Sequence, residues 1–342
     1  MQIVSCDESW RSRWNAYVDA SVEASFYHRF EWRSVNHECF RHPTAYLAAV
    51  EGGALVGIFP LVQVKSRLFG NIACSLPFVN YGGPCADRPD IQTALLDAGR
   101  VTADTWGVEY VEIRSRRHLG DGLPASEHKV SMTLGLEPDA NKIWDGFSSG
   151  HRQSIRKGYK NGFTARFGGA ELLDDFFIVF SETWRDLGTP TYSKRYFEKI
   201  VSVFGPDLRL AVVYHDQEPA AAAFDGLHQG TVEGMWLGIR TKHRNQLAGY
   251  VLYWELIKNA CERGYQRFHL GRSTAESGAE MFKKKWNAQT EPLYWHYILR
   301  SRRDIPLLNV NNPKYRLAIS TWQRLPVALT QVVGPFIARS IP

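Results

Sequence analysis

The sequence predicts an α/β (α+β) chain of two similar halves followed by a helical tail. Three observations carry this. Ala45 to Val64 (AYLAAVEGGALVGIFPLVQV) reads as two apolar strands around Gly52-Gly53, a tight-turn signal. Leu208 to Leu227 (LRLAVVYHDQEPAAAAFDGL) repeats the plan, with Asp216 to Pro219 as its turn. Each hairpin is then followed by a strand candidate, a helix and another strand, and both closing strands end in Arg-Ser, at Arg114-Ser115 and Arg272-Ser273.

The elements follow in order. The helix of the first half is IQTALLDAGRVTADTW, stopped by Gly107, and its strand is Val108 to Ser115. Glycine just past a helix end fits a C-cap. LGLEPDANK, from Leu134 to Lys142, is polar and turn-rich, so the halves divide there. We expect domains at 1–140 and 141–303 and a tail at 304–342. The second half opens on IWDGFSSGHRQSIRKGYKNGF, where Arg152, Arg156 and Lys160 recur on one helix face. Its hairpin leads to the strand TVEGMWLGI, the helix YVLYWELIKNACER stopped by Gly264, and the strand FHLGRS. In the tail, Pro313 opens a helical segment, Pro326 interrupts it, and VALTQVVGPFIARSIP continues. Such a helix either docks on its own domain or lies on a membrane surface.

Composition narrows the class. With 342 residues, 44% hydrophobic and 22% charged, the chain reads as globular, with length for two domains. A net charge of +6 permits a polyanionic partner without demanding one. The five cysteines are scattered with no metal spacing, so they read as reduced thiols of a cytoplasmic protein, and no metal is expected. No signal-peptide core follows Met1, and no apolar run approaches the roughly 20 residues of a membrane span. The expected location is the cytoplasm, with the inner face of the membrane as a candidate docking surface.

The stretch Phe268 to Ala288 (FHLGRSTAESGAEMFKKKWNA) concentrates the chemistry. An apolar strand breaks at Gly271 into Arg272 and Ser273, and a lysine cluster follows. Open α/β sheets place ligands at such strand ends, and cations there suit developing negative charge. The plainer reading of the lysines is a solvated helix face.

Hairpin, strand, helix, strand, short helix and last strand (EPLYWHYILR) resembles the GNAT acyltransferase fold. Two such domains in tandem resemble the FemAB family, which adds amino acids to peptidoglycan precursors. RDLGTPTYSKRYF, FHLGRS, FKKKWNA and PKYRLAISTWQRLP are similar to motifs of the branch found beside exosortase (PEP-CTERM) exopolysaccharide systems. The resemblance covers nearly the whole chain. It implies a reaction centre at a Phe-Lys pair, here Phe282 and Lys283, and a transferase acting on a nucleotide- or lipid-linked glycan precursor of the cell envelope or an exopolysaccharide. His269 departs from that branch, where the position is acidic. The coiled-coil arm by which some members contact tRNA is absent, which puts a tRNA-linked donor in doubt.

Acyl transfer needs a held nucleophile, oxyanion stabilisation and often a proton acceptor. Lys283 is the candidate cation at the carbonyl, and Lys284 and Lys285 read as solvated. Glu233, at the start of the fourth strand of its domain, is the candidate base, against a plain strand residue. His269 reads as packed. Arg272 and Ser273 are placed to hold a phosphate or carboxylate, with a structural salt bridge as the rival for Arg272. Arg152, Arg156 and Lys157 are candidates for the acceptor's phosphates, and Tyr192 and Tyr81 for its groove. CoA-dependent GNAT enzymes grip pyrophosphate with R/Q-x-x-G-x-G/A at a helix start, and the matching stretch here is Arg244 to Gly249. Arg244 and Gly249 fit, but Leu247 replaces the first glycine and crowds the backbone. No tightly bound cofactor is expected. The donor is an aminoacyl-tRNA, an acyl carrier protein or an acyl-CoA, and the last would make the chain an ordinary GNAT N-acyltransferase. A non-catalytic role in an exopolysaccharide assembly is the third reading.

Overall fold

The computed structural model describes residues 1–66, 70–301, 304–306 and 313–342. It divides the chain into two compact units. One is Met1–Val130 with Pro292–Leu307 and Arg339–Pro342, and the other is Ser131–Glu291 with Leu308–Ala338. The boundary expected at residue 303 lies outside the described residues.

The first unit contains β1 (Gln2–Cys6), α1 (Arg11–Ala20), α2 (Glu31–Phe40), β2 (Thr44–Glu51), β3 (Ala54–Ser66), β4 (Gly70–Cys74), β5 (Cys85–Ala86), α3 (Pro89–Trp106), β6 (Tyr110–Ser115) and the start of β7 (Ala125–Gly135). Its sheet runs β1-β2-β3-β4-β6, antiparallel except for the parallel β4/β6 pair. Ile91, Leu95, Leu96 and Ala103 of α3 pack against Phe59, Leu61 and Ile113 of the sheet. Gly107 ends α3 at φ 60°, as its place past the apolar pattern predicts.

The second unit opens with α4 (Ala140–Asp145), α5 (Ser149–Lys160) and β8 (Phe163–Gly168). It continues through α6 (Leu173–Leu187), α7 (Lys194–Phe204), β9 (Leu208–His215), β10 (Glu218–His228) and β11 (Thr231–Ile239). Next come α8 (Thr241–Arg244), α9 (Ala248–Glu262), β12 (Arg267–Thr274), α10 (Gly278–Lys284) and the start of β13 (Gln289–Leu299). The tail supplies α11 (Pro313–Trp322) and α12 (Val327–Ala338). Here the order is β8-β9-β10-β11-β12, antiparallel except for β11/β12.

Both hairpin turns put two successive residues in the left-handed region, which matches strand twist. Gly52 and Gly53 sit at φ 56° and 84°, and Asp216 and Gln217 at 48° and 66°. Neighbouring residues of β10 face opposite layers. Phe224 meets Phe176 of α6 and Phe197 of α7. Asp225 pairs instead with Arg209, which reaches Asn259 of α9. That alternation places α6 and α7 on one face and α9 on the other. The expected mixed sheets flanked by helices are therefore present in both halves.

Candidate active site

Regular pairing of β11 with β12 stops early. Thr231, Val232 and Glu233 align with Arg267, Phe268 and His269, and there the ladder ends. A bulge against β10 accompanies it, because Phe224 opposes Trp236 while Asp225 opposes Gly234. Two glycines lie just past the last pair. A Cβ on Gly234 would sit 2.8 Å from the carbonyl oxygen of His269, and one on Gly271, at φ 76°, would sit 2.9 Å from that of Gly234. Side chains are excluded there, so the backbones approach closely.

Lys283 enters at this corner. The N-cap Ser277 accepts from the Glu280 N–H and starts α10, which delivers the lysine one turn later. Its Nζ donates to the carbonyl oxygens of Gly271 (2.9 Å) and Arg272 (3.1 Å), and the residue is 8% exposed. Among the described residues it has no ion pair with a carboxylate. Burial, reinforced by the Arg272 charge, lowers its pKa from 10.5 to about 7. Lys284 behaves differently, pairing with the buried Glu280 at 2.8 Å.

Glu233 and His269 are buried register partners, so their side chains share a face. Thr133 Oγ1 lies 3.0 Å from His269 Nδ1 and donates to Glu291 Oε2 at 3.4 Å. Ser273 is buried, and its hydroxyl has no hydrogen-bond partner among the described residues. Arg272 is half-buried.

Phe282 belongs to an aromatic cluster. Its ring centroid is 5.3 Å from Tyr250, 5.3 Å from Tyr253 and 6.2 Å from Trp286. The cluster also holds His151, 4.3 Å from Trp286, 4.9 Å from Phe147 and 5.3 Å from Tyr250. His151 is 6% exposed, and neither ring nitrogen has a hydrogen-bond partner among the described residues. Burial, then the Lys285 charge, lowers its pKa to about 4, so it is a neutral imidazole. Sequence reasoning passed over it. The available signal was that Phe147 and His151 stand four residues apart, where helix neighbours meet.

The basic residues of α5 point elsewhere. Arg152 donates to the carbonyls of Trp144 and Asp145, closing α4. Arg156 is exposed and lies 5.2 Å above the Trp144 ring. Lys157 is exposed. Tyr192 stacks among Tyr196, Phe180 and Trp236, on the α6/α7 face. Tyr81 is in the first unit, buried against Tyr27 with Arg116 over its ring, so it forms part of a core.

Comparison with known proteins fits this geometry. Residues 148–284 match the acetyltransferase (GNAT) domain family. This segment is similar to a GNAT domain. A search of curated proteins by sequence finds no match. Among solved structures, FemX aligns over 93% of this chain and 100% of its own, with TM-score 0.66 and 13% identity. A tandem GNAT protein from the clavulanic acid biosynthesis pathway aligns over 86% and 97%, with TM-score 0.55 and 12% identity. The C-terminal domain of a putative lysylphosphatidylglycerol synthetase from Agrobacterium fabrum aligns over 84% and 91%, with TM-score 0.57 and 15% identity. At these identities the likeness is one of fold, and that fold is the tandem GNAT-like one.

In the GNAT-like domain, α9 follows the loop Arg244 to Leu247. Arg244 is exposed and donates from Nε to the Ile239 carbonyl at 3.3 Å. Gly249 is spaced for Ile239, whose Cδ1 lies 2.5 Å from where a Cβ would be. Leu247 sits at φ 72°, the left-handed geometry for which glycine is the usual residue. Helix α5 leans on this loop. Asn161 Nδ2 donates to the Gln246 carbonyl at 2.8 Å, and a Cβ on Gly158 would meet Leu247 O at 3.2 Å.

The first half is built differently at the matching place. The β4/β6 ladder is shorter still, with two pairs, Ala73/Val111 and Cys74/Glu112, against three in β11/β12. Its strand end is occupied by the VNYGGP loop, whose Gly82 N–H donates to the Arg114 carbonyl at 3.0 Å. Arg114 is buried against Glu112 at 2.8 Å, with its guanidinium 4.4 Å above Trp295.

Proposed function

We propose that the GNAT-like domain is a FemAB-like transferase, moving an acyl or aminoacyl group to an amine of a cell-envelope or exopolysaccharide glycan precursor. The observation that carries the reading is Lys283, a buried amine held by two backbone carbonyls at the end of the β11/β12 ladder, with no carboxylate paired to it among the described residues. In the charged form two of its N–H groups point at Gly271 and Arg272, and the third is left for a substrate oxygen. The acceptor nitrogen attacks the donor carbonyl carbon. A C–N bond forms, the carrier's C–O or C–S bond breaks, and the proton lost by the amine ends on the leaving oxygen or sulfur. Lys283 stabilises the oxyanion between these steps. Glu233 and His269 are the nearby proton carriers, and Arg272 and Ser273 hold an acidic group of the substrate. The FHLGRS and FKKKWNA motifs support the glycan acceptor.

Leu247 and the α5 contact favour a donor other than acyl-CoA, because a leucine stands where a phosphate would approach the backbone. Arg244 and Gly249 keep acyl-CoA as the second reading. Lys283→Ala should cut turnover on the order of 10²–10³-fold with the fold intact. Unchanged turnover removes Lys283 from the mechanism. Micromolar CoA binding lost in Arg244→Ala would favour the second reading, and mass spectrometry of glycan precursors with and without the protein would identify the group moved.

A further inference from the structure

The tail docks on its own domain with one face and leaves an apolar face outward. Ile319 of α11 packs on Gly188, where α6 ends. Arg185 donates to the Leu325 carbonyl at 3.0 Å, and Gln323 donates to that of Asp186 at 2.9 Å. In α12 the inward residues are Thr330, Gly334 and Ala338. A Cβ on Gly334 would lie 2.9 Å from the Thr191 backbone, so the helix sits directly on that loop. Docking does not use the other face. Leu329, Val332, Val333 and Phe336 are exposed, Val332 by 65% and Phe336 by 71%. Their spacing of three, four and seven makes one continuous stripe.

We propose that this stripe is a docking surface for an anionic lipid bilayer. Charge selects the occupant. From Ile305 to Pro342 the chain has Lys314, Arg316, Arg324 and Arg339 and no aspartate or glutamate. Arg324 and Arg339 are exposed near the two ends of α12. Cations flanking an apolar stripe suit anionic headgroups above acyl chains. Phe336 adds a large apolar ring to the face that would enter the headgroup/acyl boundary. A second protein copy is a poorer match. Twelve residues make a face about 18 Å long and about 10 Å wide, far below the roughly 800 Å² per partner of a stable interface. The contact is peripheral, since no helix among the described residues is long and apolar enough to cross a membrane.

The test is co-sedimentation of the full chain with vesicles of phosphatidylcholine, alone or mixed with phosphatidylglycerol. Binding should favour the mixed vesicles and weaken with salt. Val332→Ser with Phe336→Ser should lower partitioning at least about ten-fold, from the apolar area lost. Arg324→Glu with Arg339→Glu should abolish the preference for anionic lipid. Leu329→Ser is the second variant if the first unfolds, as judged by circular dichroism. Equal binding to both vesicle types, variants that bind like the parent, or a dimer that Val332→Ser with Phe336→Ser dissolves would each overturn the proposal. No turnover is measured, so the result stands apart from the catalytic reading.

Discussion

At Lys283 burial brings the amine pKa from 10.5 to about 7, and that shift has a sign in stability. Below pH 7 the folded protein holds a charge in a desolvated corner. Between pH 7 and 10.5 the unfolded chain binds a proton that the folded one does not, so stability rises with pH across that window. Lys283→Met should therefore stabilise the protein near pH 6, on the order of a few kcal/mol, and flatten the rise. Thermal unfolding at pH 6 and pH 9 measures both. Catalysis gives the opposite slope: turnover that depends on a charged Lys283 falls as pH rises through about 7, and turnover that climbs instead would assign it to proton acceptance. The Phe-Lys pair was visible in the sequence as a motif. The two carbonyls holding the amine were not, because backbone acceptors leave no mark in residue identity.

Among the elements, α5 and α9 show why spacing alone misplaces charge. Arg152 and Arg156 share a helix face, and the sequence suggested a phosphate site there. In the fold Arg152 closes α4 and Arg156 covers Trp144, while the opposite side of α5 carries His151 and Gly158. Gly158 gives a prediction in which two magnitudes compete. Glycine to alanine inside a helix ordinarily gains about 1 kcal/mol. At this position a Cβ would lie 2.7 Å from Val251 Cγ2 and 3.2 Å from Leu247 O, and relieving such overlap costs about 1–3 kcal/mol. Gly158→Ala should thus destabilise, as a lower midpoint in urea unfolding. A higher midpoint would mean that α5 lifts off the Leu247 loop easily.

Across the whole chain the duplicated plan was the most legible feature, because hairpin turns, strand runs and helix stops are local signals. What the repeat hides is how the two copies diverged. Arg114-Ser115 and Arg272-Ser273 look equivalent in sequence, and they occupy different environments. Arg114 is buried against Glu112, beside Ser75 and under Trp295, at a strand end closed by Gly82. Arg272 is half-buried and its carbonyl accepts from Lys283. Removing one partner of a buried ion pair strands the other, at about 3–5 kcal/mol. Arg114→Leu should therefore lower the unfolding midpoint sharply, while the molecules that remain folded keep full turnover per active site. Arg272→Leu, which strands no buried carboxylate of an ion pair such as Glu112, should shift the midpoint less than Arg114→Leu, yet weaken substrate binding. Unfolding curves and kinetics on the two variants separate the cases. If Arg114→Leu lost turnover while folded, the first copy would contribute to chemistry, and the assignment of the reaction to the second copy alone would fail.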